Sequence, residues 1–192
     1  MKIVCSELSY ERESAATKSL DLYIGVFRKS IITANSVSEL RASLREVNSR
    51  KFFITVHPMT IQVARWAAHD TRVDSILMTP ENLEIFDKKQ ASIMKYYAKP
   101  LEVHLPYLVS GEDRVRGQIY RRLNLFVRRG VALVVGSASE KWGDLVPPFS
   151  LIKFLSTQYD IPEKTALLAI TNIPRLLLLK KEEGFKCCMS TS

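Results

Sequence analysis

The stretch that decides the fold is residues 52–78, FFITVHPMTIQVARWAAHDTRVDSILM. A short apolar run, Phe52–Val56, is followed by an amphipathic segment and then by a second apolar run, Ser75–Met78. Runs that are apolar throughout rather than alternating are typical of parallel strands buried on both faces. The same pattern recurs along the chain, and we predict strands at Lys2–Cys5, Tyr23–Phe27, Phe52–Val56, Ser75–Met78, Leu101–Leu105 and Ala132–Gly136, with Ser30–Thr33 as a weaker seventh.

The segments between the strands have helical spacing. Pro80 is tolerated at the start of a helix, Ser110–Asp113 resembles a capping box, and Gly130 is a stop signal. Helices are predicted over Ser38–Val47, Thr60–His69, Pro80 to Tyr97, Ser110 to Arg129, from Asp160–Glu163 onward, and Pro174 to Lys181. This alternation predicts an α/β fold with parallel strands. Because a closed barrel typically needs about 250 residues, a barrel in this chain would be compact or distorted, and a doubly wound open sheet is the main alternative.

Length and composition predict one globular domain and a polyanionic partner. The 192 residues include 28 Lys and Arg against 20 Asp and Glu, a net charge of +8. We expect one domain over residues 1–183 and a flexible C-terminal tail over residues 184–192. No run approaches about 18 apolar residues and the N-terminus has no long apolar core, so we expect neither a membrane span nor a secretory signal. The three cysteines, Cys5, Cys187 and Cys188, form no disulfide framework, which favours a reducing, cytoplasmic setting.

Two kinds of site have weak support in the residues. His57 and His104 fall near the ends of predicted strands, with Glu102 beside His104, but there is no His-x-His, His-x-x-x-His or Cys-x-x-Cys spacing for a metal. No Gly-rich nucleotide motif is present, and Ser137 lacks a G-x-S-x-G context. The small-residue turn Val134–Lys141 offers backbone donors to a phosphate, or it is a plain turn at the end of a strand.

The most informative segment is the basic stretch that begins at Arg114. At about 100° per residue, its apolar residues form one stripe and most of its arginines the opposite face. The stripe consists of Val115, Ile119, Leu123 and Phe126, and the arginine face of Arg114, Arg121, Arg122, Arg128 and Arg129. A solvated outer face explains most such charge runs. Arg114 and Arg116 lie in the first turns, however, where the helix dipole disfavours cations, so an anion or a carboxylate partner is implied.

The order of several segments resembles the ribonuclease P protein component 3 family of archaea, whose eukaryotic relatives are the 30-kDa subunits. No single motif is specific, but their order and spacing are, most strongly from Val73 to Lys181. The segments that carry the resemblance are Ala64–Arg65 with Asp70–Leu77, Leu101–Val103 with the arginine-led helix, Val134–Ser139, Leu145–Phe149 and Thr171–Leu177. The chain departs from the family at His57–Met59, where relatives often have a glycine-rich turn, and at Trp142–Asp144, where an arginine is common.

The resemblance implies a distorted TIM-barrel-like α/β fold, similar to that of PHP-type phosphoesterases, with about seven mostly parallel strands. It implies a non-catalytic, RNA-binding subunit of the ribonuclease P endoribonuclease, which removes 5′ leaders from precursor tRNA. In that assembly the RNA performs the Mg²⁺-dependent cleavage, the protein itself binds no metal, and component 3 pairs with component 2 among the other ribonuclease P proteins. The RNA-contact residues that we predict are Arg114, Arg116, Ser137, Ser139 and Lys141, with Arg65 and Arg175 as weaker members.

Two other functions stay open on the sequence. A PHP-like, metal-dependent phosphoesterase would use His57, Glu102 and His104. A basic scaffold that binds only proteins would use the same arginine face without RNA.

Overall fold

The computed structural model describes residues 5–7, 23–26, 29–47, 49, 52–109, 112–136, 138, 146–177 and 179. Strands and helices alternate through most of this length. The strands are β1 (Cys5–Glu7), β2 (Tyr23–Val26), β3 (Lys29–Ala34), β4 (Phe53–Pro58), β5 (Ser75–Leu77), β6 (Leu101–His104) and β7 (Leu133–Gly136). The helices are α1 (Val37–Glu46), α2 (Ile61–His69), α3 (Lys88–Tyr96), α4 (Leu105–Val109), α5 (Asp113–Arg128), α6 (Pro148–Tyr159) and α7 (Glu163–Ile170).

All described strand pairs are parallel. Strands β3 to β7 form one sheet in chain order, and β1 and β2 form a separate two-stranded pair. The register places Ile32 beside Val56, and His104 beside Gly136. The predicted α/β fold with parallel strands is therefore confirmed. A closed seven-stranded barrel is not confirmed, since β3 and β7 have a single strand neighbour each among the described residues.

Parallel order gives the sheet two distinct edges. Every strand of β3 to β7 ends at the same edge, here called the carboxyl edge, and the helices α1, α2, α3 and α5 return the chain to the opposite, amino edge. Side-chain oxygens of the preceding residue start three of these helices: Ser36 accepts from Glu39 N at 3.2 Å, Thr60 from Val63 N at 3.4 Å, and Asp87 from Gln90 N at 2.6 Å.

The helix predicted from Pro80 is wrong at its start. A turn and the 3-10 segment Leu83–Ile85 occupy this region, and α3 begins only at Lys88. The side chain of Asn82 explains the difference. Its amide nitrogen donates to the carbonyls of Pro58 and Leu77 at 3.1 Å, and its oxygen accepts from Thr79 N at 2.8 Å. These bonds tie the turn to the ends of β4 and β5, so a helix does not begin at Pro80.

Three other predicted boundaries also shift. Leu105 starts α4 instead of ending a strand, and Glu112, which makes no side-chain cap, precedes α5, so the capping-box prediction is wrong. The last helical segment, 172–177, begins before Pro174, which is tolerated in a first turn. At the N-terminus only Cys5 is shared with the predicted first strand, while residues 2–4, Lys180–Lys181 and the tail 184–192 lie outside the described residues.

The core lies between the sheet and the helices. It contains Ile54, Val56 and Ile76 from the sheet and Phe126 from α5 among its fully buried members. The edge-to-face contact of Phe86 with Phe126, with ring centroids 5.7 Å apart, joins the 3-10 segment region to α5. None of the described helices is long and apolar enough to cross a membrane.

Candidate functional site

The face of the sheet that points away from the main core carries most of the buried polar side chains. Successive strand residues point to opposite faces, so Thr55, His57 and Ser75 lie on the face opposite the core-facing Ile54, Val56 and Ile76. We call this second side the inner face. Its polar members are Lys29, Thr33, Thr55, His57, Ser75, Glu102 and His104.

Glu102 is the centre of a hydrogen-bond network on the inner face. Its side chain is buried, and one carboxylate oxygen pairs with the Lys29 ammonium and lies 2.7 Å from His104 Nε2. The other oxygen accepts from the hydroxyls of Thr55 at 2.9 Å and Ser75 at 2.5 Å. Four strands therefore meet at one carboxylate. Its buried charge is compensated by a cation and by several donors, which is what burial of a carboxylate requires.

His57 lies nearer the carboxyl edge and is only half-buried. Its Nδ1 is 3.2 Å from Thr33 Oγ1 and its Nε2 is 3.0 Å from Thr79 Oγ1. Burial lowers the pKa of His57 below its usual value, the nearby Glu81 opposes this shift, and His104 adds to it. The imidazole is therefore neutral near pH 7.

These residues do not fit a metal centre as they are arranged. Among the residues that the structure describes, no group of three or more His, Cys, Asp or Glu side chains is placed to hold a metal ion. Glu102 and His104 are adjacent, but the Lys29 ammonium contacts both, and its positive charge opposes a divalent cation there. Both nitrogens of His57 face threonine hydroxyls instead.

Arg114 and Arg116 lie at the carboxyl edge, in the first turn of α5. Both side chains are exposed. Arg116 pairs with Asp113 one turn earlier, so the carboxylate partner foreseen for a cation in this turn exists for Arg116. Arg114 has no ion-pair partner within the described part of the chain. Arg116 also borders a cleft of about 340 Å³ between α4, α5 and α6, whose wall includes Leu108, Tyr120 and Tyr159.

Of the remaining predicted contact residues, Arg65 and Arg175 belong to the part of the chain that the structure describes. Ser137, Ser139 and Lys141 lie outside the described residues, directly after β7. Arg65 is half-buried on α2, with its Nη2 3.4 Å from Asp87 Oδ2 and its buried Nε without a partner in the described structure. Arg175 is exposed in segment 172–177. The neighbours of Arg175 in that segment, Ile173 and Leu177, pack on Phe53, the first residue of β4, so Arg175 is nearer the amino edge.

The amphipathic interpretation of α5 is confirmed. Ile119, Leu123 and Phe126 are buried, and Val115 packs against the core. The opposite side is cationic, and its exposed or half-exposed members are Arg114, Arg121, Arg122, Arg128 and Arg129. Of these, Arg129 donates to Ser92 Oγ on α3 at 2.9 Å. The arginine face therefore runs along α5 from the carboxyl edge to the amino edge and continues onto α3.

Comparison with known proteins identifies one similar sequence of known family. No protein-family profile matches the chain. Ribonuclease P protein component 3 of Aeropyrum pernix is 28% identical over 130 residues, which are 65% of this chain and 61% of that protein. The aligned part thus spans about three-fifths of the length of the relative.

A solved structure shows the same fold. A chain in the cryo-EM structure of archaeal ribonuclease P with mature tRNA superposes with a TM-score of 0.65 at 17% identity, over 91% of this chain and 78% of that chain. The α/β architecture of this chain is therefore found within a ribonuclease P particle. Together with the curated relative, this confirms the resemblance of the chain to archaeal ribonuclease P protein component 3.

Proposed function

We propose that this chain is a protein subunit of ribonuclease P. In this role it binds and stabilises the RNA and partner proteins, while the RNA removes 5′ leaders from precursor tRNA. The observation that carries the proposal is the likeness to ribonuclease P protein component 3, at 28% identity over 130 residues. The fold shared with a chain of an archaeal ribonuclease P structure supports it.

The physical role that we infer is neutralisation of RNA phosphates. Folded RNA brings phosphates close together, and bound Lys and Arg side chains release counterions and reduce this repulsion. Arg114 is exposed at the carboxyl edge without an ion-pair partner within the described residues, which suits it to a phosphate. Ser137, Ser139 and Lys141 follow β7 in the sequence, and we propose them as further contacts of the same kind. Arg116 would contact RNA while it pairs with Asp113.

Arg65 and Arg175 are secondary members of the proposed contact set. The Arg65 side chain is about one-third exposed, so an RNA contact would be made by its exposed part beside Asp87 and not by its buried Nε. Arg175 is nearer the other edge of the sheet, so it would meet a different part of the RNA from Arg114. Contacts of this kind read the shape and backbone of the RNA rather than its bases.

Finer features belong to the same proposal. We infer that the seven strands form a distorted barrel, that ribonuclease P component 2 is a direct partner, and that the particle acts on precursor tRNA in the cytoplasm. The subunit would have no catalytic site of its own, and the Mg²⁺ of the reaction would be bound by the RNA. The Lys29 ammonium contacts both Glu102 and His104, and its positive charge disfavours a metal ion there, which supports Mg²⁺ binding by the RNA instead.

The test is reconstituted precursor-tRNA cleavage with and without this chain, followed by the double variant Arg114→Ala with Arg116→Ala. We expect the double variant to need more Mg²⁺ or more protein for the same cleavage rate. In RNA binding, the slope of log K against log salt should become shallower by about 1 for each lost phosphate contact.

Arg45→Ala is the matched control, since Arg45 is an exposed arginine on α1, away from the arginine face. It should leave both the cleavage rate and the salt slope unchanged. An unchanged salt slope in the double variant would remove Arg114 and Arg116 from the RNA contacts. Cleavage or phosphatase activity in the protein alone, with stoichiometric bound metal, would overturn the subunit proposal in favour of a metal-dependent phosphoesterase.

A further inference from the structure

A second surface, at the amino edge of the sheet, has the features of a site for single-stranded RNA. The helices α2, α3 and α5 precede β5, β6 and β7, so their last residues meet at this edge. We call the surface the Tyr96 patch, and its members are His69, Lys95, Tyr96, Tyr97 and Arg129.

Three aromatic rings are arranged in series in the patch. The rings of His69 and Tyr97 are 4.2 Å apart and tilted by 49°, and the rings of Tyr97 and Tyr96 are 4.8 Å apart at 80°. Tyr96 is nevertheless 80% exposed and Tyr97 40% exposed. Tyr96 is thus supported at one side by Tyr97, while most of its surface faces solvent.

The surroundings of these rings are cationic. Residues 88–101 contain four lysines and residues 114–136 contain six arginines, and neither stretch contains a single Asp or Glu. The two stretches touch at the patch, because Arg129 Nη1 donates to Ser92 Oγ at 2.9 Å and Lys95 Nζ approaches Gly130 closely. Asp70, next to His69, is neutralised by Arg72 through bonds of 2.7 and 3.0 Å.

A cleft that is partly lined by Tyr97 extends the patch. It has a volume of about 390 Å³, and its polar or charged lining includes Thr71, Arg72 and Lys99 as well as Asp74, whose carboxylate accepts from Ile54 N at 2.7 Å. Lys99 Nζ donates to the carbonyl of Asp70 at 2.7 Å, so the lysine is held in place at the wall. Such a cleft suits a ribose or a phosphate next to a stacked base.

The stability of α3 explains the lysine at its end but not the exposed aromatic ring beside it. A cation in the last turn of a helix is favoured by the helix dipole, which accounts for Lys95. The dipole gives no reason for an aromatic ring that is 80% exposed at the same place. Proteins that bind single strands combine a cationic surface with aromatic rings on which bases stack, which is the combination found here.

A second exposed aromatic ring on the surface has a different environment. Phe149 on α6 is 61% exposed, but Lys153 lies 5.7 Å from the centre of its ring, and Lys153 in turn pairs with Glu163 at 2.5 Å. One face of Phe149 is therefore already covered by a cation, and a carboxylate is close by. The two sites differ in their neighbouring charges: Phe149 is covered by a lysine that pairs with a carboxylate, whereas residues 88–101 around Tyr96 contain four lysines and no Asp or Glu.

We propose that the Tyr96 patch binds a single-stranded RNA segment, with one base stacked on Tyr96 and adjacent phosphates held by Lys95 and Arg129. The proposal rests on the proposed function in that RNA is the ligand. It concerns the opposite edge of the sheet from Arg114, and it gives the chain a second RNA contact with a different chemistry.

The test is binding of a fluorescent ten-nucleotide oligoadenylate to the full chain, measured by anisotropy across a salt series. We expect Tyr96→Ala to weaken binding by about 5- to 150-fold, the usual loss for one stacked base, without changing the salt slope. Tyr96→Phe should retain the affinity, because the ring is kept. Lys95→Ala should instead reduce the salt slope by about 0.7, the value for one phosphate contact to a single strand.

Phe149→Ala is the matched control and should bind like the unmodified chain. Equal affinity of Tyr96→Ala and the unmodified chain, or no binding by the unmodified chain, would overturn the patch. Loss of a partner protein from the reconstituted particle in Tyr96→Ala, with RNA affinity unchanged, would assign the patch to protein binding and also overturn the proposal. The subunit role is judged separately, since reconstituted cleavage with Arg114→Ala and Arg116→Ala reports on the other edge.

Discussion

The two faces of the five-stranded sheet are both buried, but one is filled by apolar side chains and the other by a hydrogen-bonded polar network. The face toward the helices contributes Ile54, Val56 and Ile76 to an apolar core. The inner face is equally inaccessible at Thr55 and Ser75, yet it is polar and centred on a carboxylate, Glu102. The first face is stabilised by non-directional contacts that depend on volume, and the second by bonds that depend on exact partners. A substitution that changes charge without changing shape therefore separates the two faces.

The largest effect should follow from Glu102→Gln. This change keeps the shape of the side chain but leaves the buried Lys29 ammonium beside a neutral amide, and we expect a loss of about 3–5 kcal/mol in the free energy of unfolding. Chemical denaturation of the two proteins measures the difference. The double variant Lys29→Met with Glu102→Gln should recover part of the loss, because the uncompensated cation is gone. If the double variant were no more stable than the single one, the two charges would not be coupled.

A smaller effect is expected from Thr55→Val, which removes one donor to the carboxylate and conserves volume. Since hydrogen bonds to a charged group are stronger than neutral ones, we expect a loss of about 1.5–3 kcal/mol. Ile54→Val, one residue earlier on the opposite face, is the matched control and should cost about 0.5–1.5 kcal/mol. A Thr55→Val variant that is as stable as the Ile54→Val variant would mean that the inner face depends on packing, as the core does.

The smallest effect is the pH dependence of the free energy of unfolding. We expect it to arise from His57 on the inner face and not from the apolar face. Because burial lowers the pKa of His57 below 6.5, the unfolded chain binds a proton before the folded chain does as the pH falls. The contribution of His57 is therefore present above about pH 6.5 and is lost as the pH falls through the lower pKa of the folded state.

His57→Gln removes this proton linkage, so the free energy of unfolding should fall less steeply between about pH 7 and pH 5 than in the unmodified chain. Ile54→Val should be displaced by the same amount at every pH. Parallel curves for His57→Gln and the unmodified chain would show that His57 has the same pKa in the folded and unfolded states.

The sequence predicted the positions of the strands better than the chemistry between them. Short apolar runs locate β4 to β7 within one or two residues, because local pattern and tertiary burial agree there. The prediction that these runs are apolar on both faces is wrong for the inner face, where Thr55, Ser75 and Glu102 lie. The network joins Lys29, Thr55, Ser75 and Glu102, which are up to 73 positions apart, and only the register of the sheet brings them together.

The helix start predicted at Pro80 was wrong because a side chain forms hydrogen bonds with backbone groups there. Pro80 looks like a helix start, but Asn82 satisfies backbone groups from three different positions and holds a turn instead. The Tyr96 patch was missed for another reason. Ligands of α/β proteins usually bind at the carboxyl edge, whereas the patch lies at the ends of the helices that precede the strands. The acid-free stretches at residues 88–101 and 114–136 are the signal that would have located it.

The length of α5 sets the spacing of the two proposed RNA contacts. Arg114 stands at one end of the helix and Arg129 at the other, and its sixteen residues extend over about 24 Å at the usual helical rise. An RNA strand that touches both ends has to run along the arginine face between them. Otherwise, two separate RNA segments would be held about that far apart. In either form of the proposed complex, the length of α5 would determine the distance between the two contacted parts of the RNA.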